Sequence, residues 1–198
     1  MKRILIFAPT APGSGITQYI LNLLGHADLS EFQFDILSFH NPRLEKWATE
    51  HGGRYFDLTV SLYKHPIEYR NYLKSVFSGG YDAVHYHLSS ISTLRIFKFA
   101  KQCGVPKIIV QSHGVGLENS SALRQCVFQW VHKRMRKPAL KYFDVISACS
   151  QAAADWMYGP DAAKNAVIFN NAIELERFAF RESDRMEIRR KYDMEDRF

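Results

Sequence analysis

Short apolar runs alternate with helical patterns along most of this chain. The first run spans residues 4–8, with basic residues before it and a segment rich in proline and glycine after it. Further strand-like runs follow at residues 34–39, 54–57, 83–87, 107–111, 145–149 and 166–169. Helical candidates lie near residues 16–26, 43–51, 66–78, 90–102, 121–142 and 150–158. This repetition predicts an α/β fold with a Rossmann-like, doubly wound parallel sheet.

The segment APTAPGSGITQ joins the first predicted strand to the first predicted helix. Glycine at positions 13 and 15 allows a positive φ and lets a ligand approach the backbone closely. A helix start also offers free N–H groups and a positive dipole end, so one interpretation is a phosphate site. The other is a turn that merely requires glycine. The loop matches neither G-x-G-x-x-G nor the Walker pattern, because no Gly-Lys-Ser/Thr follows.

Polar residues follow the predicted strands, and histidine stands at three of these ends: His40, the pair His85 and His87, and His113. Doubly wound sheets bind ligands at the carboxyl ends of their strands, so we expect a site there. His85 and His87 are two residues apart and therefore face the same side of a strand. No acidic or cysteine cluster with metal-ligand spacing accompanies them. The segment ACSQAA lacks the glycines of a serine-hydrolase elbow.

The 198-residue chain is basic, with a net charge of +6 and a sequence pI near 9.2. Such a surface suits nucleic acids, anionic membranes or phosphorylated ligands, and charge alone does not choose among them. No zinc-finger, RRM or KH pattern is present, so we expect no nucleic-acid partner. No apolar run approaches the length of a membrane span. Three widely spaced cysteines, at positions 103, 126 and 149, indicate a reducing compartment.

A basic helix is predicted at residues 121–142. Pro138 is expected to kink or end it. The pattern suits an anionic lipid surface, but it also fits an ordinary surface helix with one stripe facing the core. The apolar stripe consists of Leu123, Val127, Trp130, Val131 and Met135, and the charge comes from Arg124, Lys133, Arg134, Arg136, Lys137 and Lys141.

Five segments occur in a characteristic order: APGSGITQYILNLLGHADLSEFQFDILSF, GGYDAVHYHLSS, CGVPKIIVQSHGV, YFDVISACSQAAADWMYG and AVIFNNAIELERFAF. Together they resemble the N-terminal half of family 4 retaining glycosyltransferases, especially the capsular and exopolysaccharide branch. The resemblance implies a GT-B architecture of two Rossmann-like halves with the active site between them. On that expectation, residues 1–180 form the acceptor-binding domain. Residues 181–198 would be an interdomain linker and the start of a missing C-terminal donor domain.

The resemblance also implies roles on the donor side of the site. Gly13, Ser14 and Gly15 would bring backbone groups toward the diphosphate of a nucleotide-sugar donor. His113 would be the catalytic residue that faces the transferred sugar, where it would bond a sugar hydroxyl or help to stabilise charge. No cofactor and no metal is implied, since the nucleotide sugar is a substrate.

On the acceptor side, the resemblance implies contacts from His87, Thr17 and Asn171. The acceptor would be a saccharide, in particular one linked to a polyprenyl carrier at the inner face of the cytoplasmic membrane. The protein would then be cytoplasmic and, through its basic helix, peripheral at an anionic membrane surface. This half alone is expected to be inactive. Two other functions remain open: a non-catalytic sugar- or nucleotide-binding domain, and half of a GT-B-fold sugar epimerase.

Overall fold

The computed structural model of the chain describes residues 1–62, 64–116 and 121–194. Its strands form one parallel sheet in the order β3-β2-β1-β4-β5-β6-β7. The sheet grows outward from β1 in both directions, as in doubly wound folds, which confirms the predicted fold class. The strands are β1 (Lys2–Ala8), β2 (Phe32–Ser38), β3 (Tyr55–Asp57), β4 (Ala83–Leu88), β5 (Lys107–Ser112), β6 (Val145–Ala148) and β7 (Val167–Ile168).

Helices connect the strands and cover the sheet. They are α1 (Gly15–Gly25), α2 (Pro42–Glu50), α3 (Pro66–Phe77), α4 (Arg95–Gln102), α5 (Ala122–Leu140), α6 (Gln151–Tyr158), α7 (Pro160–Ala163) and α8 (Glu182–Lys191). One predicted boundary was wrong. Helix α4 begins at Arg95 rather than near residue 90, because the preceding residues form a loop at the end of β4. Helix α5 lies within the predicted range 121–142, and Pro138 does not end it, because the helix continues to Leu140.

Two hydrophobic clusters lie on opposite faces of the sheet. Alternate residues of β1 point to opposite sides, so Ile6 packs with α1 and α2 while Phe7 packs with the larger cluster. The larger cluster includes residues of α3, α4, α6 and α7. This arrangement buries both faces of the central strands and leaves the carboxyl edge of the sheet to its loops.

A charged network anchors the side of the sheet near β2. The Asp35 side chain is 1% exposed and lies 3.1 Å from Arg3 and 2.8 Å from Arg54. The Tyr81 hydroxyl donates to the same carboxylate at 2.7 Å. Burial raises the pKa of Asp35, but hydrogen bonds from Arg54 and Tyr81 outweigh it, so the pKa lies below its ordinary value.

The predicted boundary between two domains falls near the end of the described chain. Helix α8 contains no buried residue. Residues 195–198 of the predicted linker lie outside the described residues. The division at residue 180 therefore stays a prediction.

Candidate functional site

The glycine-rich loop between β1 and α1 is held by a network of small polar side chains. Ser14 caps α1, since its hydroxyl accepts a hydrogen bond from the Thr17 N–H at 3.1 Å. The Thr17 hydroxyl donates to the Ala11 carbonyl at 2.7 Å and accepts from Asn41 at 2.9 Å. Thr17 is fully buried, so this structure gives it a supporting role in the loop and no surface to offer an acceptor.

Gly13 and Gly15 do not need a positive φ, which corrects one of the two reasons given for glycine here. The other reason fits the structure: a Cβ added at either position would meet no atom within 4 Å. The backbone is therefore open to close approach from outside. The first N–H groups of α1, at Gly15 and Ile16, have no partner within the helix.

Arg43 adds a positive charge beside this loop, and no local sequence pattern predicted it there. Its guanidinium donates to the Pro12 carbonyl at 3.2 Å and to the Gln18 side chain at 2.7 Å. Arg43 comes from the start of α2, which follows a different strand, so only the fold brings it near the glycines. A helix start, an open backbone and a guanidinium together suit an anion.

A cavity of about 520 Å³ opens at the carboxyl edge of the sheet, and we call it the carboxyl-edge cavity. Ligand cavities in proteins commonly have about this volume. Its walls are mostly apolar and its loops carry hydroxyl groups. It is lined by Phe7, Pro9, Ile16, Phe39, Leu58, Thr59, Val60, Ser61, Leu62, Tyr69, His87, Leu88, Ser89, Ser90, Ile91, Ser92, Thr93, Ile96 and Phe97.

His87 and His113 are joined at this edge. The Nδ1 atom of His87 lies 2.9 Å from the Nε2 atom of His113. Tyr19 of α1 packs edge-on against His113, with ring centroids 4.7 Å apart, and lies 5.9 Å from His87. The two histidines of separate strands and the helix after the glycine loop therefore form one cluster. Sequence reasoning placed Tyr19 only in the apolar stripe of α1 and missed this role.

Three nitrogen atoms beside this cluster have no hydrogen-bond partner among the described residues: His85 Nε2, His87 Nε2 and Gln111 Nε2. The rings of His85 and His87 are tilted against each other with centroids 4.2 Å apart, and Gln111 of β5 is the register partner of His87 on β4. A buried polar group without a partner costs about 1–3 kcal/mol. Native structures contain few such groups, so these three mark the strand ends as a candidate binding site.

Burial keeps these imidazoles neutral. It lowers the pKa of His85 and that of His113 to about 4, with the neighbouring His113 adding to the effect on His85. Burial also lowers the pKa of His87 well below its ordinary value. At neutral pH His113 therefore exchanges single hydrogen bonds with a ligand and carries no charge. Of the two roles predicted for it, a neutral imidazole favours the hydrogen bond to a sugar hydroxyl, and the catalytic role itself stays a prediction.

The remaining predicted contact, Asn171, lies away from the cavity lining. It is exposed in the segment after β7, where the neighbouring Ala172 carbonyl accepts a hydrogen bond from Asn22 of α1 at 3.1 Å. The segment therefore passes beside α1, but the structure does not bring Asn171 to the histidine pair. Its contact with an acceptor stays a prediction.

In the described part of the chain, no three His, Cys, Asp or Glu side chains are grouped so that they could hold a metal ion. No helix there has the length and apolar content to cross a bilayer. The expectation that no metal or cofactor takes part stays untested.

Helix α5 presents its apolar stripe outward over its first half. Leu123, Val127 and Trp130 are exposed, at 77%, 55% and 68%. His132 and Ala139 are the buried residues of the helix. His132 accepts a hydrogen bond from the Ile91 N–H at 3.0 Å. This bond holds the face of α5 opposite to Trp130 against the loop that follows β4. The interpretation of an ordinary helix with this stripe against the core is therefore wrong for these three residues.

Basic residues continue the same row. Arg134 and Lys137 follow Trp130 at spacings of four and three, so they lie on the outward face of α5. Both are exposed, and α5 contains no acidic residue. We call the row of Leu123, Val127, Trp130, Arg134 and Lys137 the outward stripe.

Comparison of the sequence with protein-family models and with curated proteins finds no match. Solved structures do resemble the chain. Anabaena Alr3699/HepE, in complex with UDP and glucose, has 13% sequence identity and a TM-score of 0.70, over 100% of this chain and 52% of that one. A glycosyltransferase from Rickettsia africae has 14% identity and a TM-score of 0.68, over 98% and 50%.

The MnaA–UDP structure from S. aureus is also similar, with 16% identity and a TM-score of 0.60, over 98% of this chain and 50% of that one. At these identities the likeness shows the fold and not the activity. The chain spans about half the length of the structures that it matches. This protein thus has a Rossmann-like α/β fold that matches about half of each of these larger chains.

Proposed function

We propose that this chain is the acceptor-binding half of a retaining glycosyltransferase that uses a nucleotide-sugar donor and builds a polysaccharide. The observation that carries the proposal is the meeting of three features at one sheet edge. These are the open glycine loop, the linked pair His87 and His113, and the carboxyl-edge cavity. The likeness to UDP-bound structures and to a named glycosyltransferase supports it at the level of fold.

In this proposal the glycine loop meets the donor diphosphate. The N–H groups at Gly13 and Gly15 approach its oxygens, Ser14 holds the helix start in place, and Arg43 adds charge. The free N–H groups and the positive dipole end of a helix N-terminus favour an anion such as a diphosphate. The donor would be held mainly by a second half and closed over by this loop.

His113 orients the transferred sugar by a hydrogen bond to one of its hydroxyls. Because burial lowers the pKa of His113, its imidazole is neutral at pH 7, and its contribution is to hold the sugar in the reactive orientation. The acceptor oxygen forms a bond to the sugar carbon as the bond from that carbon to the phosphate breaks. The acceptor proton passes to the leaving phosphate, so no carboxylate nucleophile is required from this chain.

The chain alone is expected to transfer no sugar, because the nucleotide would be held by the other half. A chimera tests the function itself: residues 1–180 replace the matching half of the Anabaena HepE protein. UDP-glucose serves as donor, and products are detected by mass spectrometry with a panel of neutral and anionic glycosides as acceptors. We expect a product that is one hexose heavier, and we expect His113→Ala to abolish it.

A folded chimera that binds UDP and yields no transfer product with any acceptor would contradict the proposal. A chimera that alters the sugar of UDP-glucose without any acceptor would favour the epimerase alternative instead. Robust transfer by the unfused chain would show that the second half is not needed.

We further propose that the outward stripe places the protein on an anionic membrane at the cytoplasmic face, where a polyprenyl-linked acceptor would be found. Trp130 and its apolar neighbours would enter the interfacial region, while Arg134 and Lys137 meet lipid phosphates. The complementary charge of the stripe and the exposure of large apolar side chains support this occupant.

A further inference from the structure

The carboxyl-edge cavity differs from the rest of this protein in its charge. Charged residues make up 23% of the chain, which has a net charge of +6. Among the described residues that line the cavity there is no Asp, Glu, Lys or Arg. His87, the histidine of the pair that lines the cavity, is buried, and burial holds its pKa well below the ordinary value. The described lining of the cavity therefore carries no formal charge at neutral pH, in contrast to the basic chain as a whole.

An uncharged apolar cavity discriminates strongly against ions. A carboxylate or phosphate that enters must leave water without meeting a cation, and this desolvation is costly. A neutral group loses far less, and its apolar faces gain from contact with Phe39, Val60 and Leu62. The hydroxyls of the loop after β4, at Ser89, Ser90 and Ser92, offer hydrogen bonds to a polar end.

Arg43 donates to the Pro12 carbonyl and to the Gln18 side chain at the glycine loop and does not line the cavity. The edge of the sheet is thus divided into a basic part, at the start of α1, and a neutral part, the cavity. Such a division separates an anionic ligand from an uncharged one. It also gives a reason why the two ligands would not exchange places.

We propose that the carboxyl-edge cavity binds an uncharged acceptor group, a neutral glycoside with an apolar aglycone or apolar sugar face, and excludes acidic and phosphorylated sugars. The proposal rests on the proposed function, because it takes the cavity as the acceptor site. Where the acceptor is linked to a lipid phosphate, that phosphate lies outside the cavity. Uronic acids and sugar phosphates are not acceptors at this site.

Two fluorescent glycosides that differ in one carboxylate test this on the unfused chain. They are 4-methylumbelliferyl β-glucoside and 4-methylumbelliferyl β-glucuronide, with binding followed by fluorescence anisotropy. The net charge of +6 would by itself favour the anionic glucuronide. We expect the neutral glucoside to bind at least tenfold more tightly, against this attraction.

Substitutions of Ser90 locate the binding. Ser90 is half-buried and lines the cavity, and no hydrogen bond of its side chain to another described residue is seen. Ser90→Asp is expected to weaken glucoside binding at least fivefold more than the uncharged Ser90→Asn does, because aspartate and asparagine have nearly the same shape and differ in charge. Ser90→Lys is expected to admit the glucuronide. Thermal unfolding of each variant shows whether the fold is kept.

Equal or tighter binding of the glucuronide by the unsubstituted chain would overturn the proposal. So would glucoside binding that none of the Ser90 variants alters, or binding of neither glycoside up to about 10 mM, where even very weak complexes are detected. The two proposals fail separately. A transferring chimera that prefers an anionic acceptor refutes the neutral cavity alone, whereas glucoside binding without transfer by the chimera refutes the enzyme alone.

Discussion

The Nδ1 atom of His87 and the Nε2 atom of His113 lie 2.9 Å apart, so one hydrogen bond links the ends of two neighbouring strands. One ring must donate and the other accept. Protonation of both rings would place two N–H groups face to face at this distance. The link therefore depends on an uncharged pair, and it makes the site sensitive to acid.

Stability is expected to fall as the pH drops from 7 to 5. An unfolded histidine titrates near pH 6.5, whereas burial holds the pKa of His85 and His113 at about 4. Between these values the unfolded chain binds more protons than the folded chain, so acid favours unfolding. Urea midpoints measured across this range test the prediction.

The matched variants are His113→Gln, which removes one of these groups, and His65→Gln, on the exposed start of α3. The first is expected to reduce the pH dependence, and the second is expected to leave it nearly unchanged. Identical slopes for all three proteins would show that the buried histidines do not control it.

Two glycines are expected to respond in opposite ways to alanine. A Cβ at Gly15 would meet nothing within 4 Å, while at Gly53 it would lie 2.0 Å from the Phe34 carbonyl oxygen. Gly15→Ala should leave stability unchanged or raise it by up to about 1 kcal/mol, since alanine favours helix. Gly53→Ala should cost about 1–3 kcal/mol through overpacking. Chemical denaturation measures both.

The KM of the chimera for UDP-glucose gives a second measurement on Gly15→Ala. Gly15→Ala is expected to raise the KM for UDP-glucose, because the methyl group would occupy the space through which the diphosphate approaches the loop. An unchanged KM in a variant of normal stability would show that the glycine loop does not contribute to donor binding.

Asp35→Ala is expected to destabilise the fold by about 1–3 kcal/mol, because it leaves the buried Tyr81 hydroxyl and the Arg54 N–H without their acceptor and removes the carboxylate that pairs with Arg3 and Arg54. Asp35→Asn keeps the shape and removes the charge. Because hydrogen bonds and Arg54 lower the pKa of Asp35 below that of an unfolded aspartate, this stabilisation is present above about pH 4 and is lost as the pH falls through the folded value.

Comparison of urea midpoints at pH 7 and pH 3 tests this assignment. The difference in stability between the unsubstituted chain and Asp35→Asn should shrink at the lower pH. A difference that stays constant would mean that the charge of Asp35 contributes nothing.

Liposome flotation tests the outward stripe. The chain is expected to float with anionic vesicles and not with neutral ones, and to be released at high salt, because charge screening weakens lipid attraction. Arg134→Glu with Lys137→Glu should abolish flotation. The matched control reverses Lys46 and Lys164, which are exposed on other helices or at their ends. Equal loss in both double variants would assign the binding to net charge rather than to the stripe.

Much of the fold was predictable because apolar periodicity is local. The alternation of strands and helices predicted the parallel sheet, and all seven strands lie at or near the predicted positions. Helix α8 was missed because it buries no residue and so carries no apolar stripe. The start of α4 was misplaced because residues 89–93 form a loop that lines the cavity, and no strong local signal separates this loop from the helix that follows.

Local patterns were enough to predict the sheet, the glycine loop and the strand ends at which His87 and His113 stand, because strand and helix periods depend on neighbouring residues. The contact between these histidines, the packing of Tyr19 against His113 and the burial of Thr17 became visible only in the folded chain. It also decided that the lining of the carboxyl-edge cavity is uncharged. The physical reason is that contact, burial and local charge arise where distant segments meet, and no pattern within one segment encodes them.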